Sequence, residues 1–235
     1  SNAFNCCYQL TNVEIPFDSQ LQTIRSDAFT NSSIESLFIP STVVNLEDGW
    51  CTFTRELCEV TVDENNKLYK NFPYKNGPFV LGKSNSKSGV FDVLAFACRD
   101  ISFFIFPSFI KEIASFAFCD SYLEKIFIPP KVKKIGNSAF ADCHQLCLAK
   151  IPPNSELEII EDEAFAGSSI MSFYVPPKVV TIGKDTFFEC ECLQIIEFDE
   201  NSAIQALSYA SFCSYGVENY IVMIPTNLKI HFQIK

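Results

Sequence analysis

A thirteen-residue phrase recurs along the chain and constrains its fold more than any other feature. It reads Ile-Pro-Pro-Lys-Val-Lys-Lys-Ile-Gly-Asn-Ser-Ala-Phe from Ile128 to Phe140, and it returns with few changes from Val175 to Phe187. Looser copies run from Phe106 to Phe118 and from Ile39 to Cys51. Self-similarity at a period of roughly 20–50 residues is the signature of repeat proteins whose units stack on one another. The chain is therefore predicted to form a repeat solenoid.

The repeat alternates between two lengths. After its proline, a short copy has apolar residues three and six positions later and Phe eleven positions later, and a long copy adds two residues. We expect one ring from each coil to point inward and to stack on the ring of the next coil. The spacing of these rings alternates between 22 and 25 residues over five units, at Phe118, Phe140, Phe165, Phe187 and Phe212.

A short strand is predicted before each proline. The pattern there is apolar-x-x-apolar-x-apolar, as in Leu123, Ile126 and Ile128, and its last two apolar residues have the period of two that is typical of a strand. Proline ends the strand because it cannot donate to a ladder, and one strand per coil must run parallel to the next. The polar segment before each Phe, with Asp27 or Ser138, is expected to be a tight turn or a short helical or 3-10 turn.

The region from about residue 63 to residue 100 departs from the repeat. Two apolar runs, Phe79 to Gly82 and Val90 to Phe96, flank a polar loop that ends in glycine, which is the pattern of a β-hairpin. We expect an insertion of about two strands that either protrudes from the stack or widens its sheet. Just upstream, Gly49-Trp50-Cys51 stands where Ser-Ala-Phe is expected.

Composition excludes several classes of partner. The net charge of −10 over 235 residues argues against nucleic acid or an anionic membrane surface as the main partner. No apolar run approaches the roughly 18 residues of a membrane span, so no membrane insertion is predicted. Many of the eleven cysteines follow the repeat register, as Cys143 and Cys190 do three residues after a repeat Phe. Such cysteines are predicted to be small buried core residues.

No pattern of catalytic, cofactor-binding or metal-binding residues is found. His144 has no partner at the spacing of a catalytic triad or a ligand set, and Cys190-Glu-Cys192 lacks the second pair of a zinc site. The chain is therefore predicted to be no enzyme and to bind neither a cofactor nor a metal. Asn31-Ser-Ser33 is a sequon in a predicted turn, which makes Asn31 a candidate for glycosylation.

One column of strand residues predicts a protein-binding face. The residue between the two inward side chains of each strand must face out, because side chains alternate. Exposed apolar patches tend to mark interaction sites. The column therefore predicts binding of another protein or self-association. The alternative is that the apolar residues in this column are explained by the inserted hairpin or by neutral sequence variation. Four of its eight members are large and apolar or aromatic, namely Phe38, Ile105, Phe127 and Tyr174.

The repeat phrase, carried almost completely by Ile128 to Leu146, resembles the BspA-like leucine-rich repeat of bacterial and protist surface proteins. The resemblance extends from Phe4 to about Pro225. It implies a right-handed leucine-rich-repeat horseshoe with parallel strands on one face. It also implies a cell-surface or extracellular location and adhesion to, or recognition of, host or extracellular-matrix proteins. A structural spacer within a larger surface protein is the alternative.

The chain is expected to form a single leucine-rich repeat domain over residues 4–235. Ser1-Asn2-Ala3 reads as a cleavage scar left by expression. Because repeat sequence follows it at once, a signal or membrane anchor is expected to lie outside this fragment.

Overall fold

The computed structural model describes residues 2–73, 79–204, 206–208, 211, 221–224 and 231–233. These residues form twenty short strands joined by turns, and they include no α-helix. In chain order the strands are β1 (Asn12–Val13), β2 (Thr23–Ile24), β3 (Ser36–Ile39), β4 (Asn45–Leu46), β5 (Glu59–Val62), β6 (Lys70–Phe72), β7 (Phe79–Gly82), β8 (Val93–Phe96), β9 (Phe103–Phe104), β10 (Glu112–Ile113), β11 (Lys125–Phe127), β12 (Lys134–Ile135), β13 (Leu148–Lys150), β14 (Ile159–Ile160), β15 (Ser172–Val175), β16 (Thr181–Ile182), β17 (Ile195–Phe198), β18 (Ala206–Ser208), β19 (Ile221–Met223) and β20 (His231–Gln233).

Two ladders of parallel strands run along the solenoid, and each coil contributes one strand to each ladder. The first ladder contains β1-β3-β5, β9-β11-β13 and β15-β17-β19, which are the strands predicted before each proline. The second contains β2-β4, β8-β10-β12-β14-β16 and β18-β20. Sequence reasoning missed the second ladder. Most of its strands have only two residues, and in a short repeat they carry the apolar residue six positions after the proline, such as Ile135. The predicted parallel-strand solenoid is confirmed.

A column of phenylalanine rings forms the centre of the C-terminal coils. The ring centroids of Phe118 and Phe140 are 5.1 Å apart, as are those of Phe140 and Phe165, and both pairs are nearly parallel. Phe187 follows at 6.1 Å. All four rings are buried, which confirms the predicted stacking; Phe212 lies outside the described residues. Each stacked pair adds about 0.5–1.5 kcal/mol beyond the burial of its apolar area.

Two residues with left-handed backbone flank each ring, two positions before it and two positions after it. Around Phe140 they are Ser138, with φ of 50°, and Asp142, with φ of 55°. An α-helix cannot continue through a left-handed residue. These segments are therefore tight turns, and the helical or 3-10 turns that the sequence predicts as an alternative are absent between Asp27 and Glu189. The same pair recurs as Asp27 and Asn31, Gly49 and Phe53, Phe116 and Asp120, Glu163 and Gly167, and Asp185 and Glu189.

Of the described cysteines that follow the repeat register, Cys119, Cys143 and Cys190 are buried, and Cys7 is only partly buried. Sγ of Cys143 donates to the carbonyl of Phe118 at 3.1 Å, and Sγ of Cys190 donates to that of Phe165 at 3.0 Å. Both thiols therefore satisfy turn carbonyls in the preceding coil, as small core residues with a weak donor. Cys213, which also follows the register, lies outside the described residues, and Cys192, which does not follow it, is exposed.

An antiparallel segment, β6-β7-β8, interrupts the repeat between β5 and β9. β7 pairs antiparallel with β6 and with β8, and β8 also pairs in parallel with β10 and so continues the second ladder. All four residues of β7 are buried. The segment is therefore packed within the molecule. Of the two predicted alternatives, protrusion from the stack is wrong, and β7 and β6 extend the sheet that contains β8. The reason is that β7 is apolar on both faces and needs a core on each side.

The antiparallel segment separates two hydrophobic clusters. Phe79 and Leu81 pack into the C-terminal cluster, and Val80 between them packs into the N-terminal cluster. In the described sheets β5 does not pair with β9, and β4 does not pair with β8. Both ladders are therefore broken at the same level of the solenoid, and β7 joins the two cores there.

Polar side chains satisfy the strand edges that this break exposes. Asn71 accepts from the backbone N–H of Val62 and donates to the carbonyl of Val60, each at 2.6 Å. The hydroxyl of Tyr69 accepts from the backbone N–H of Leu46 at 3.1 Å. These side chains take the place of a neighbouring strand, since buried backbone groups without a partner cost free energy.

Candidate protein-binding face

The outer face of the first ladder carries two columns of side chains, and we call it the strand face. In β11 the side chains of Lys125 and Phe127 are exposed and that of Ile126 between them is buried. The strand pairing extends this alternation along the ladder. One column contains Asn12, Ser36, Glu59, Phe103, Lys125, Leu148, Ser172, Ile195 and Ile221, and the other contains Glu14, Phe38, Thr61, Ile105, Phe127, Lys150, Tyr174, Glu197 and Met223.

An apolar patch lies in the middle of the strand face, formed by Phe103, Ile105 and Phe127. These side chains are 40%, 61% and 45% exposed. The rings of Phe103 and Phe127 meet edge to face with centroids 6.3 Å apart. Two exposed lysines, Lys125 and Lys150, adjoin the patch, and Nζ of Lys150 lies 6.0 Å from the centroid of the Phe127 ring. The patch therefore combines large apolar area with local positive charge.

The N-terminal part of the strand face is an acidic groove of about 760 Å³. Phe17 and Phe38 line it together with Glu14 and Glu59. Phe17 is 77% exposed, whereas Phe38 is half-buried. Because the first ladder is broken between β5 and β9, Phe38 belongs to this groove and does not join the apolar patch, although the sequence groups it with Ile105 and Phe127.

Tyr174 is also separate from the apolar patch. Its hydroxyl donates to Oδ2 of Asp199 at 2.5 Å, and its side chain is half-buried. Burial and the Asp199 carboxylate raise the pKa of Tyr174 above its ordinary value, and the hydrogen bond from Tyr174 lowers the pKa of Asp199. Lys150 occupies the coil between Tyr174 and Phe127. The four predicted residues therefore fall into three places, and only Ile105 and Phe127 lie in adjacent coils.

Sequence reasoning missed four of the six exposed apolar residues on the strand face, namely Phe103, Ile195, Ile221 and Met223. Phe103, Ile195 and Ile221 are in the column two residues before the predicted one. The same alternation that predicts Ile105 as outward also predicts Phe103 as outward, so the signal was present in the sequence. Phe17 follows a proline outside the strand, and no periodic pattern indicates its exposure.

Asn31, the candidate glycosylation site, occupies a left-handed turn position with φ of 56°. Its backbone N–H donates to the carbonyl of Thr52 at 3.1 Å, and the hydroxyl of Ser33 in the sequon donates to the carbonyl of Tyr8 at 2.7 Å. The sequon is therefore held in a structured turn.

The described part of the chain contains no group of three or more His, Cys, Asp or Glu side chains placed to hold a metal ion. Nδ1 of His144 lies 3.0 Å from the carbonyl oxygen of Gly167, as a turn contact. In the same described ranges no helix has the length and apolar composition required to cross a bilayer.

Three solved structures share the fold over nearly the whole chain. The pneumococcal vaccine antigen PcpA has a TM-score of 0.74 and 22% identity, and the match covers 100% of this chain and 60% of that one. A leucine rich cell surface protein from Faecalibacterium prausnitzii A2-165 has a TM-score of 0.73 and 22% identity, covering 97% and 55%. A leucine-rich repeat protein from Eubacterium ventriosum ATCC 27560 has a TM-score of 0.64 and 20% identity, covering 95% and 58%. This chain thus spans between half and two thirds of their lengths.

The family of the chain is established by the match of its repeats to a known repeat family. No curated protein matches the chain. The family described as BspA type leucine rich repeat region matches in six copies over residues 1–79, 91–194 and 158–231, so that residues 80–90 and 232–235 remain outside the match. Leucine-rich repeat proteins are generally protein-interaction modules. The chain belongs to the BspA-type leucine-rich repeat family.

Proposed function

We propose that this chain is a non-enzymatic protein-interaction module of a cell-surface protein and that its strand face contacts the partner. The observation that carries the proposal is the apolar patch of Phe103, Ile105 and Phe127, which is exposed on the most regular surface of the solenoid. Contiguous exposed apolar patches rimmed by polar residues mark interaction sites. The leucine-rich repeat family supports the same class of function.

The partner that fits this patch has apolar side chains surrounded by acidic ones. Lys125 and Lys150 adjoin the patch, and complementary charges across an interface raise the association rate and select the partner. The acidic groove around Glu14 and Glu59 suits a cationic neighbouring segment of the same partner. A second copy of this chain offers both kinds of surface, so self-association through the strand face is included in the proposal.

We place this module at the cell surface or outside the cell, with a role in adhesion to host or extracellular-matrix proteins. The names of two similar structures, a vaccine antigen and a cell surface protein, support this location. In such a location Asn31 is the proposed glycosylation site. Residues 80–90 lie outside the matched repeats, which supports an inserted segment there.

A structural spacer within a larger surface protein is the second candidate. Its support is the polar N-terminal part of the strand face, where five of the six outward residues are polar, namely Asn12, Glu14, Ser36, Glu59 and Thr61. A spacer needs solubility and length, and it needs no exposed apolar patch. The apolar patch is the feature that favours the binding module over the spacer.

A binding panel separates the two functions. The intact chain is tested by biolayer interferometry against extracellular-matrix and host-surface proteins, alongside the double variant Ile105→Ser and Phe127→Ser. For any protein bound, we expect at least a tenfold loss of affinity, which is about 1.4 kcal/mol, with an unchanged melting temperature.

The matched control replaces Val44 and Val180 with Ser. Both are about half exposed, and they lie beside the second ladder, away from the strand face. The control should bind as the unchanged chain does. If the intact chain, the strand-face double variant and the control variant all bind a panel protein equally well, the strand face is not the binding surface. If the intact chain binds no panel member, the spacer function is favoured.

A further inference from the structure

Cys58 and Cys98 meet where both ladders of the solenoid are broken. The backbone N–H of Arg99 donates to the carbonyl of Leu57 at 3.2 Å, which brings the neighbouring residues Cys58 and Cys98 together. Burial and the neighbouring Cys58 thiol both raise the pKa of the Cys98 thiol, as expected where two thiols are close to each other. Cys58 precedes β5 and Cys98 follows β8, so the contact spans the two ends of the antiparallel segment.

The surroundings of this pair differ from those of the register cysteines. The thiols of Cys143 and Cys190 are occupied by the hydroxyls of Ser121 and Ser168 and by turn carbonyls. Cys58, in contrast, is half-buried and packs against the edge of the C-terminal cluster, and Cys98 beside it is buried. Cys58 is therefore the more accessible of the two cysteines.

We infer that Cys58 and Cys98 are a disulfide-forming pair that fastens the junction between the two halves of the solenoid when a small-molecule disulfide is present. The inference does not depend on the function proposed for the strand face. Both thiols are free in this structure.

The reaction proceeds by two thiol–disulfide exchanges. The Cys58 thiolate attacks one sulfur of oxidised glutathione, a Cys58–glutathione disulfide forms, and glutathione thiolate leaves. Cys98 then loses its proton to solvent and attacks Sγ of Cys58, which releases the second glutathione thiolate. In balance, two cysteine thiols are oxidised and one glutathione disulfide is reduced to two glutathione thiols. Burial raises the pKa of Cys98 to about 12, which makes the second exchange the slower one at neutral pH.

A Cys58–Cys98 disulfide would cross-link the chain at the level where both strand ladders are interrupted. The two cores are joined by β7 and by polar side chains at the strand edges, while neither ladder crosses the junction in the described sheets. A cross-link closing the loop between residues 58 and 98 restricts the unfolded chain, and loops of this size give large effects. The oxidised chain should therefore melt higher than the reduced chain, by roughly 5–10 °C.

The test uses the full chain incubated with oxidised glutathione, followed by alkylation of the remaining thiols, proteolysis and mass spectrometry. We expect a cross-linked peptide pair containing Cys58 and Cys98, together with the rise in melting temperature. Cys98→Ser should abolish both changes and leave glutathione on Cys58. Cys192→Ser, which removes an exposed thiol elsewhere, should preserve both.

Three results would overturn the inference. They are a chain in which Cys58 and Cys98 both stay free, one in which Cys58 carries only glutathione at equilibrium, and one in which either pairs with a different cysteine. None of them bears on binding by the strand face, which is tested separately with the Ile105→Ser and Phe127→Ser variant.

Discussion

Nη2 of Arg99 lies 3.4 Å from Sγ of Cys51 in the interior of the solenoid. By the hydrogen-bond register of the turns, Cys51 and Ala97 occupy the positions that phenylalanine fills in the other coils. Arg99 is fully buried, and its guanidinium lies 4.8 Å from the centroid of the Phe96 ring. The arginine side chain therefore fills the volume that two missing rings would leave in the column.

Two substitutions of Arg99 distinguish the stability contributed by the volume of its side chain from that contributed by its charged guanidinium. Nη1 and Nη2 donate to the carbonyls of Ala117 and Phe116, but both carbonyls already accept backbone N–H groups from Ala97 and Cys119. Arg99→Met should therefore leave no carbonyl unpaired, and it removes a buried charge, so the free energy of unfolding should stay equal or rise. Arg99→Ala leaves a cavity and should cost about 2–5 kcal/mol. Urea unfolding measures both; equal losses in both variants would show that the guanidinium hydrogen bonds stabilise the fold.

Gly136 explains why glycine follows isoleucine in the repeat phrase. A Cβ at this position would lie 2.5 Å from the backbone nitrogen of Ser115 in the preceding coil. Backbone atoms cannot yield as a flexible side chain can, so Gly136→Ala should lower the free energy of unfolding by about 1–3 kcal/mol. Gly89→Ala is the control, because a Cβ there meets no atom within 4 Å, and it should change stability by less than about 0.5 kcal/mol. Similar thermal denaturation of the two variants would contradict this explanation.

Glu189 is strained in a way that a substitution can relieve. Its φ is 53°, at the turn position that Gly167 occupies in the preceding coil. Asn tolerates left-handed backbone better than Glu, so Glu189→Asn should raise the free energy of unfolding by about 0.5–1 kcal/mol. Glu191→Asn, two residues later at an exposed position outside the left-handed set, should change it by less than about 0.5 kcal/mol. A gain of the same size in both variants would point to the loss of negative charge rather than to the backbone.

Much of the fold could be predicted because one pattern fixes both the strand and the ring of each coil. Residues such as Ile126, Ile128 and Phe140 each have one inward direction that every copy repeats. The second ladder was missed because a strand such as Lys134–Ile135 contributes a single apolar residue, which is too little to show a period. The place of β7 depends on competition between long-range pairings, and no local pattern encodes its two buried faces.

The candidate site was predictable to a similar degree. Alternation is a local rule, and it places Ile105 and Phe127 outward, as the structure has them. The separation of Phe38 from them follows from the break in the ladder, which depends on residues far away in sequence. The contact of Tyr174 with Asp199 joins the ends of successive strands, and strand alternation alone does not indicate it.

Asp92 makes the stability of the antiparallel segment dependent on pH. Its buried carboxylate accepts from the backbone N–H and the hydroxyl of Ser84 at 3.0 and 2.8 Å, and it lies 3.2 Å from Nζ of Lys111. Burial alone would raise the pKa of Asp92, but the bonds from Ser84 and Lys111 outweigh it and lower the pKa below its ordinary value. Because the folded pKa is below the unfolded one, the carboxylate stabilises the fold above the unfolded pKa. That contribution is lost as the pH falls through the folded pKa.

Asp92→Asn should therefore lower the free energy of unfolding at pH 7 by roughly 1–3 kcal/mol, because a buried charged acceptor is lost. The difference from the unchanged chain should narrow below about pH 4, where this carboxylate begins to take up a proton in the unfolded chain but not yet in the folded one. Chemical denaturation from pH 7 down to pH 3 measures both, with Asp100→Asn at an exposed position as the control that changes little at either end. A difference that stays constant over this range would mean that Asp92 acts through the shape of its hydrogen bonds and that its charge does not stabilise the loop.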